Sequence, residues 1–256
     1  MVWPSVPKGF LGARLYSAHF HYPLTSHEQW FWQVGTRLPK PKKNITVNRS
    51  RRDQISQQKL KYLQSVICHL ESNPFILAIY ITGSLAMCNC TPDDDIDLMF
   101  ITKPNSLWLA RLWNIYFLTK NQLRRPPHLP EHSSTRVNNK ICDNLYLDDL
   151  RISAQNLYLA HEILQAKPVY DPFNTRRQFL LNNPWVGDFL PIAYRETLKK
   201  TPTSKLITKT HWSLIFGLWS LNLIAFAIQY LYMQRKITHE KVSFRQAFFH
   251  PNQIMV

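Results

Sequence analysis

The sequence predicts an α/β (α+β) fold: a small mixed β-sheet core with helices, followed by a mainly helical C-terminal half. Three observations carry this. Phe75 to Thr82 is a run of β-branched, aromatic and apolar residues held between Asn73-Pro74 and Gly83-Ser84, the signature of a buried strand. Asp95 to Ile101 and Lys140 to Leu147 repeat the pattern. The stretches around these strands place apolar residues at helical spacing, clearest at Leu63, Val66, Ile67 and Leu70 within Gln54 to Glu71, which describes one buried helix face.

The first stretch, through about Lys43, is rich in proline and in aromatics (Trp30, Phe31, Trp32) without periodicity, and reads as an irregular or weakly helical extension. Pro39 to Arg52 is basic and proline-punctuated, as linkers are. The helix 54–71 ends at Asn73-Pro74. After the first strand, Gly83-Ser84 opens a short helix or loop to Pro92. The second strand is followed by an apolar helix, Asn105 to Leu118. Gln122 to Asn139 is a polar, proline-rich connection that includes Arg124 and Arg125. Helices are expected at Ala154 to Ala166 and Asn174 to Leu181. Lys199 to Lys209 is basic, and Thr210 to Gln234 holds no Asp, Glu, Lys or Arg. The chain thus divides into 1–53 (extension and linker), 54–150 (core), 151–209 (helical region), 210–235 (long hydrophobic helix) and 236–256 (tail).

A formal charge of +15 on 256 residues favours an anionic partner: nucleic acid, an acidic membrane surface or polyphosphate. With 6 glycines against 17 prolines, a Gly-rich loop of the Walker type is not expected. Met1 to Leu24 has neither a continuous apolar core nor a small-residue cleavage site, so no secretory signal is expected, and the sequon at Asn44 carries no weight without that route. Cys68, Cys88, Cys90 and Cys142 are too few and too irregular for a disulfide framework. Cys88 and Cys90 lack a second pair to complete a zinc site. Free thiols in a reducing cytoplasm are the expectation.

The chemistry-bearing pattern is a buried strand, Gly83-Ser84, a gap, and then Asp95-Ile96-Asp97 opening the next strand. Successive strand residues point to opposite faces, so Asp95 and Asp97 share one face while Ile96 and Leu98 pack behind. Two carboxylates so placed make an oxygen site for a hard divalent cation, Mg²⁺ or Mn²⁺. Glycine lets the backbone come close to phosphate oxygens, and the Ser84 hydroxyl can grip them. Asp93 and Asp94 read as solvent-facing or as outer partners.

These residues resemble the DNA polymerase β-like nucleotidyltransferase superfamily, whose signature is a hydrophobic residue, Gly-Ser or Gly-Gly, a spacer, and Asp-hydrophobic-Asp. It includes kanamycin nucleotidyltransferase and the minimal nucleotidyltransferases. The stretches GSLAMCNCTPDDDIDLMFIT, LYLAHEILQAKPVYD and QAFFHP are similar to a group of bacterial proteins carrying this domain. The superfamily signature covers Ile79 to Ile101; the closer resemblance runs from about Ser56 to the C-terminus. It implies that Gly83 and Ser84 meet a nucleoside triphosphate and that Asp95 and Asp97 ligate the metals. Where the family often has a small residue after the Gly-Ser turn, this chain has Met87 and Cys88. The family often adds a third carboxylate on a later strand. Here the sequence leaves Asp143, Asp148 or neither open, with Asn144 also on the more polar face.

The resemblance implies transfer of a nucleoside monophosphate from a Mg²⁺-bound triphosphate to a hydroxyl or phosphate acceptor, nucleic acid among the candidates, with release of pyrophosphate. The competing expectation is a weak or inactive nucleotide- or nucleic-acid-binding protein of the same fold, membrane-tethered in one version. His161-Glu162 reads as a capped or salt-bridged structural pair, and Arg176-Arg177 as a solvated face. The cluster Lys40, Lys42, Lys43, Arg49, Arg51 and Arg52 suits either a nucleic-acid backbone or a solubilising linker. The segment 210–235 is long enough for one membrane span, yet it carries Asn222 and Gln229. A single transmembrane span, a helix packed on the domain and a helix lying flat on a membrane surface all remain open, the location being the cytoplasm with or without attachment to the inner face of the membrane.

Overall fold

A computed structural model describes residues 7–40, 46–126, 138–203, 212–234 and 241–249. Within them, α1 (Gly9–His19), α2 (Ser26–Phe31) and α3 (Ser50–Glu71) precede β1 (Ile76–Ile81), α4 (Gly83–Ala86), β2 (Ile96–Thr102), α5 (Leu107–Lys120) and β3 (Ile141–Leu147). Then come α6 (Leu157–Gln165), β4 (Lys167–Tyr170), α7 (Thr175–Leu181), α8 (Val186–Phe189), α9 (Pro191–Lys200), α10 (Trp212–Gln234), β5 (Lys241–Val242) and β6 (Gln246–Phe248). The protein is mixed α/β, with a six-stranded sheet in the order β4-β1-β2-β3-β6-β5. β2 and β3 run parallel and the other pairs antiparallel.

The three apolar runs form the central strands, each within a residue or two of its expected bounds. β1 is buried along its whole length because both faces of the sheet are covered. Ile79, Ile81, Ile96, Leu98 and Phe100 pack beneath α3 and α5 on one side. Ala78, Tyr80, Met99, Ile101 and Leu145 pack against α6, α7 and the Trp185–Ala193 region on the other.

The C-terminal half is mainly helical, with α6 to α10, and it also adds three short strands, β4, β5 and β6, that the sequence reading did not include. They are short, and β4 carries Pro168, so none shows the two-residue period that announces a strand. Of the two readings of the N-terminal stretch, irregular or weakly helical, the structure has the helical one, with α1 and α2. α2 begins with a complete capping box between Thr25 and Glu28, and Tyr16 of α1 stacks on His161 of α6 with ring centroids 3.8 Å apart.

Within the segment 210–235, the described residues 212–234 form α10, which packs on the domain. Among the described residues no helix is long and apolar enough to cross a membrane, which corrects the transmembrane reading. Asn222 and Gln229, the residues that fit a bilayer least, are both buried against α5. Ser106 at the N-cap of α5 gives its hydroxyl to the Lys103 carbonyl and leaves the first turn uncapped by its own side chain. Asn222 Oδ1 supplies the missing acceptor, taking the N–H groups of Trp108 (2.8 Å) and Leu109 (3.2 Å). Gln229 donates to the Trp108 carbonyl (2.8 Å) and accepts from Arg111 (2.7 Å). A distant helix thus satisfies orphan groups that every helix start exposes. Lys42, Lys43, Lys205, Lys209, Arg235 and Lys236 lie outside the described residues.

Candidate metal centre

β1 delivers the Gly83 turn to the N-terminal end of β2. The Thr82 N–H donates to the Asp97 carbonyl at 3.0 Å, a last ladder rung that sets Gly83 beside Asp97. Gly83 has φ +59, and a Cβ at this position would collide with the Asp97 carboxylate. Glycine is required here both by the backbone conformation and by the neighbour. Ser84 follows at the start of α4, and its hydroxyl lies 3.5 Å from Cys90 Sγ.

Asp95 and Asp97 share one face, as the two-residue period requires. The third member of the cluster is Cys142: one ligand atom from each of the three lies within 4.8 Å of the others. Asp97 pairs with Cys142 across the parallel β2–β3 ladder. Burial, then the charges of Asp95 and Glu162, push the Asp97 carboxyl well above the usual carboxylate range, with Arg125 pulling the other way. Burial and the neighbouring aspartates likewise raise the Cys142 thiol. Groups held towards their neutral forms in this way are ones whose ionisation a bound cation would favour.

Neither carboxylate left open for the third position occupies it. A register irregularity in the β2–β3 pair between Leu98 and Met99 interrupts strict alternation. Asp143 pairs with Leu98 and is held by both nitrogens of an Arg124 fork, at 2.9 and 3.2 Å. Asp148 sits at the far end of β3, where it accepts the Asn105 N–H; burial raises its pKa to about 7.

Arg125 was missed as a site residue. Leu123 to Arg125 runs beside the start of β3, with Ile141 N–H to Leu123 carbonyl at 2.8 Å and Arg125 N–H to Ile141 carbonyl at 2.9 Å. Extended neighbours point to opposite sides. Arg124 therefore meets Asp143 while Arg125 reaches Asp95 at 2.7 Å. The signal available in sequence was the adjacent arginine pair at the start of the proline-rich connection that leads to β3. Glu162 was read as structural. It accepts the Gly83 N–H at 3.3 Å, and burial raises its pKa.

Lys59 of α3 fixes the loop that leads into Asp95. Its buried ammonium donates to the carbonyls of Pro92 (3.1 Å) and Asp94 (2.7 Å) and to the Asn138 and Asn139 side chains (3.2 and 3.0 Å). Asp94 closes the turn by accepting from the Thr91 N–H at 3.0 Å, and Asp93 is exposed. His161 is buried with neither ring nitrogen hydrogen-bonded, so it is neither capped nor salt-bridged. Arg176 and Arg177 bond to the carbonyls of Leu164 (2.9 Å) and Leu198 (2.8 Å), tying α7 to its neighbours instead of forming a solvated face. A cleft of about 520 Å³ opens elsewhere, between β4 and α9, lined by Asp171, Arg176 and Lys200 among others; no aspartate of the cluster reaches it.

Compared with family models, curated proteins and solved structures, the chain gave no match. Two hard carboxylates and one soft thiol, with ligand atoms within 4.8 Å of one another, fit a divalent cation.

Proposed function

We propose that the protein is a divalent-metal-dependent nucleotidyltransferase that moves a nucleoside monophosphate from a triphosphate to a hydroxyl or phosphate acceptor. The observation that carries this reading is the contact between Gly83 and Asp97: a turn with no side chain, set against one of two aspartates on a shared face. Asp95 and Asp97 would hold Mg²⁺ or Mn²⁺. A bound cation would neutralise the triphosphate and assist loss of pyrophosphate. Gly83 leaves room for phosphate oxygens, and Ser84 is placed to donate to them once its hydroxyl turns from Cys90. Arg125 offers a cation that can exchange its Asp95 partner for phosphate. In the reaction the acceptor oxygen bonds to the α-phosphorus, the bond to the bridging oxygen breaks, pyrophosphate leaves and the acceptor proton passes to solvent. The expected location is the cytoplasm, where triphosphate and a reduced Cys142 coexist.

Purified protein with Mg²⁺ or Mn²⁺, each labelled triphosphate and cell-lysate fractions as acceptors is expected to transfer label and release pyrophosphate. Asp97→Asn is expected to abolish both transfer and metal-dependent nucleotide binding, and an unaffected variant would sink the assignment. A second reading, nucleotide binding without transfer, is favoured by Cys142 standing where a third carboxylate would be and by Arg125 engaging Asp95. It predicts triphosphate binding with no pyrophosphate release against any acceptor.

A further inference from the structure

Helix α10 is turned inside out relative to a water-facing helix. Its polar side chains Asn222 and Gln229 are buried against α5, with Ala225 between them. Ile224, Ile228 and Leu231 are 57%, 64% and 66% exposed. α5, on which α10 packs, exposes Leu112, Trp113 and Tyr116 as well. Amphipathic helices on proteins in water place their apolar stripe inward, and apolar patches of this extent mark surfaces that meet something apolar. We propose that the outer faces of α5 and α10 dock flat on an anionic lipid bilayer.

Charge selects lipid over a second copy of the chain. Residues 103–122, which hold α5, contain no Asp or Glu and carry the exposed Lys103 and Lys120 at the two ends of that helix, and α10 holds no acidic residue. Two copies meeting through this face would bring like charges together, on chains that each carry +15. An anionic surface meets the same cations with attraction. The aromatics on the two faces, Trp113, Tyr116 and Tyr232, are of the kind that settles at headgroup level. A helix lying in the interface needs only one apolar side and no span, in keeping with the absence of a spanning helix among the described residues.

The test is flotation of the full chain with vesicles of phosphatidylglycerol and phosphatidylcholine, beside vesicles of phosphatidylcholine alone. The chain is expected to float with the anionic vesicles, less with the neutral ones, and less again at high salt. Ile224→Glu with Ile228→Glu is expected to weaken binding by about tenfold or more, with an unchanged unfolding temperature because both positions are exposed. Should that variant fail to fold, Tyr116→Glu on α5 reads the same surface. A parent chain that stays at the bottom of the gradient with anionic vesicles overturns the proposal, as does a folded variant that floats as well as the parent. A dimer in sedimentation velocity that the double variant abolishes, without flotation of the parent, assigns the face to a second copy and overturns it too. Asp97→Asn is expected to float normally, so the outcome is independent of the metal centre.

Discussion

Asp97 and Cys142 face each other across the parallel β2–β3 ladder, on the same side of the sheet as Asp95. A thiolate is a soft ligand, and Mg²⁺ prefers an all-oxygen shell. Mn²⁺ is therefore expected to bind more tightly than Mg²⁺ in the parent protein. Cys142→Asp is expected to reverse the preference and lower half-saturating Mg²⁺ on the order of tenfold. The metal-dependent rise in unfolding temperature reads this without any assay of turnover. No change in selectivity on substitution would remove Cys142 from the ligand set.

Arg125 occupies Asp95 at 2.7 Å and so competes with a cation for that carboxylate. Arg125→Gln is expected to tighten metal binding in the absence of nucleotide and to weaken triphosphate binding in its presence, each by several-fold, about 1 kcal/mol. Calorimetric titration of metal alone, then of nucleotide at saturating metal, separates the two effects. If both weaken together, Arg125 is a structural brace and not an exchangeable partner.

The buried His161 makes stability depend on acid. Burial pushes its pKa from 6.5 down to about 3, so the unfolded chain takes up a proton at a pH where the folded protein resists it. Stability is expected to fall as pH drops from 6.5 towards 3, by no more than about 5 kcal/mol across that window. His161→Phe keeps the stack on Tyr16 and removes two ring nitrogens that lack partners. Denaturation midpoints across that pH range are expected to flatten, with equal or greater stability at pH 7. A variant with the parent's acid sensitivity would place its origin elsewhere.

At the start of α5, Asn222→Ala leaves the Trp108 and Leu109 N–H groups without an acceptor and is expected to cost about 1–3 kcal/mol. Asn222→Asp keeps the acceptor and is expected to recover part of that loss. Urea denaturation of the three proteins gives the comparison, and equal stability would show that α10 docks through its apolar contacts alone.

The central strands were legible because burial on both faces makes them continuous apolar runs, and the pairing of Asp95 with Asp97 followed from the two-residue period alone. Cys142 lies ahead of the irregularity at Leu98 and Met99 and was passed over because the third ligand was sought among carboxylates, Asp143 and Asp148, and not among thiols. Arg125 is placed by the isolated bridge that its neighbour Arg124 makes to Ile141 of β3, a contact that no local pattern encodes. α1 escaped because its buried face is built from Gly9, Gly12, Ala13, Tyr16 and Ser17. Small side chains bury without registering as hydrophobic periodicity.

The pairing of β6 with β3, Leu145 to Phe248 and Leu147 to Gln246, carries a cost in time. Synthesis completes β3 about 100 residues before β6, a delay of roughly 5–20 s at ribosomal rates. Throughout that interval one row of β3 amides and carbonyls stands open to any extended strand nearby. A chain stopped ahead of Gln246 would never close that row, and its expected fate is aggregation with its own kind rather than life as a shorter protein.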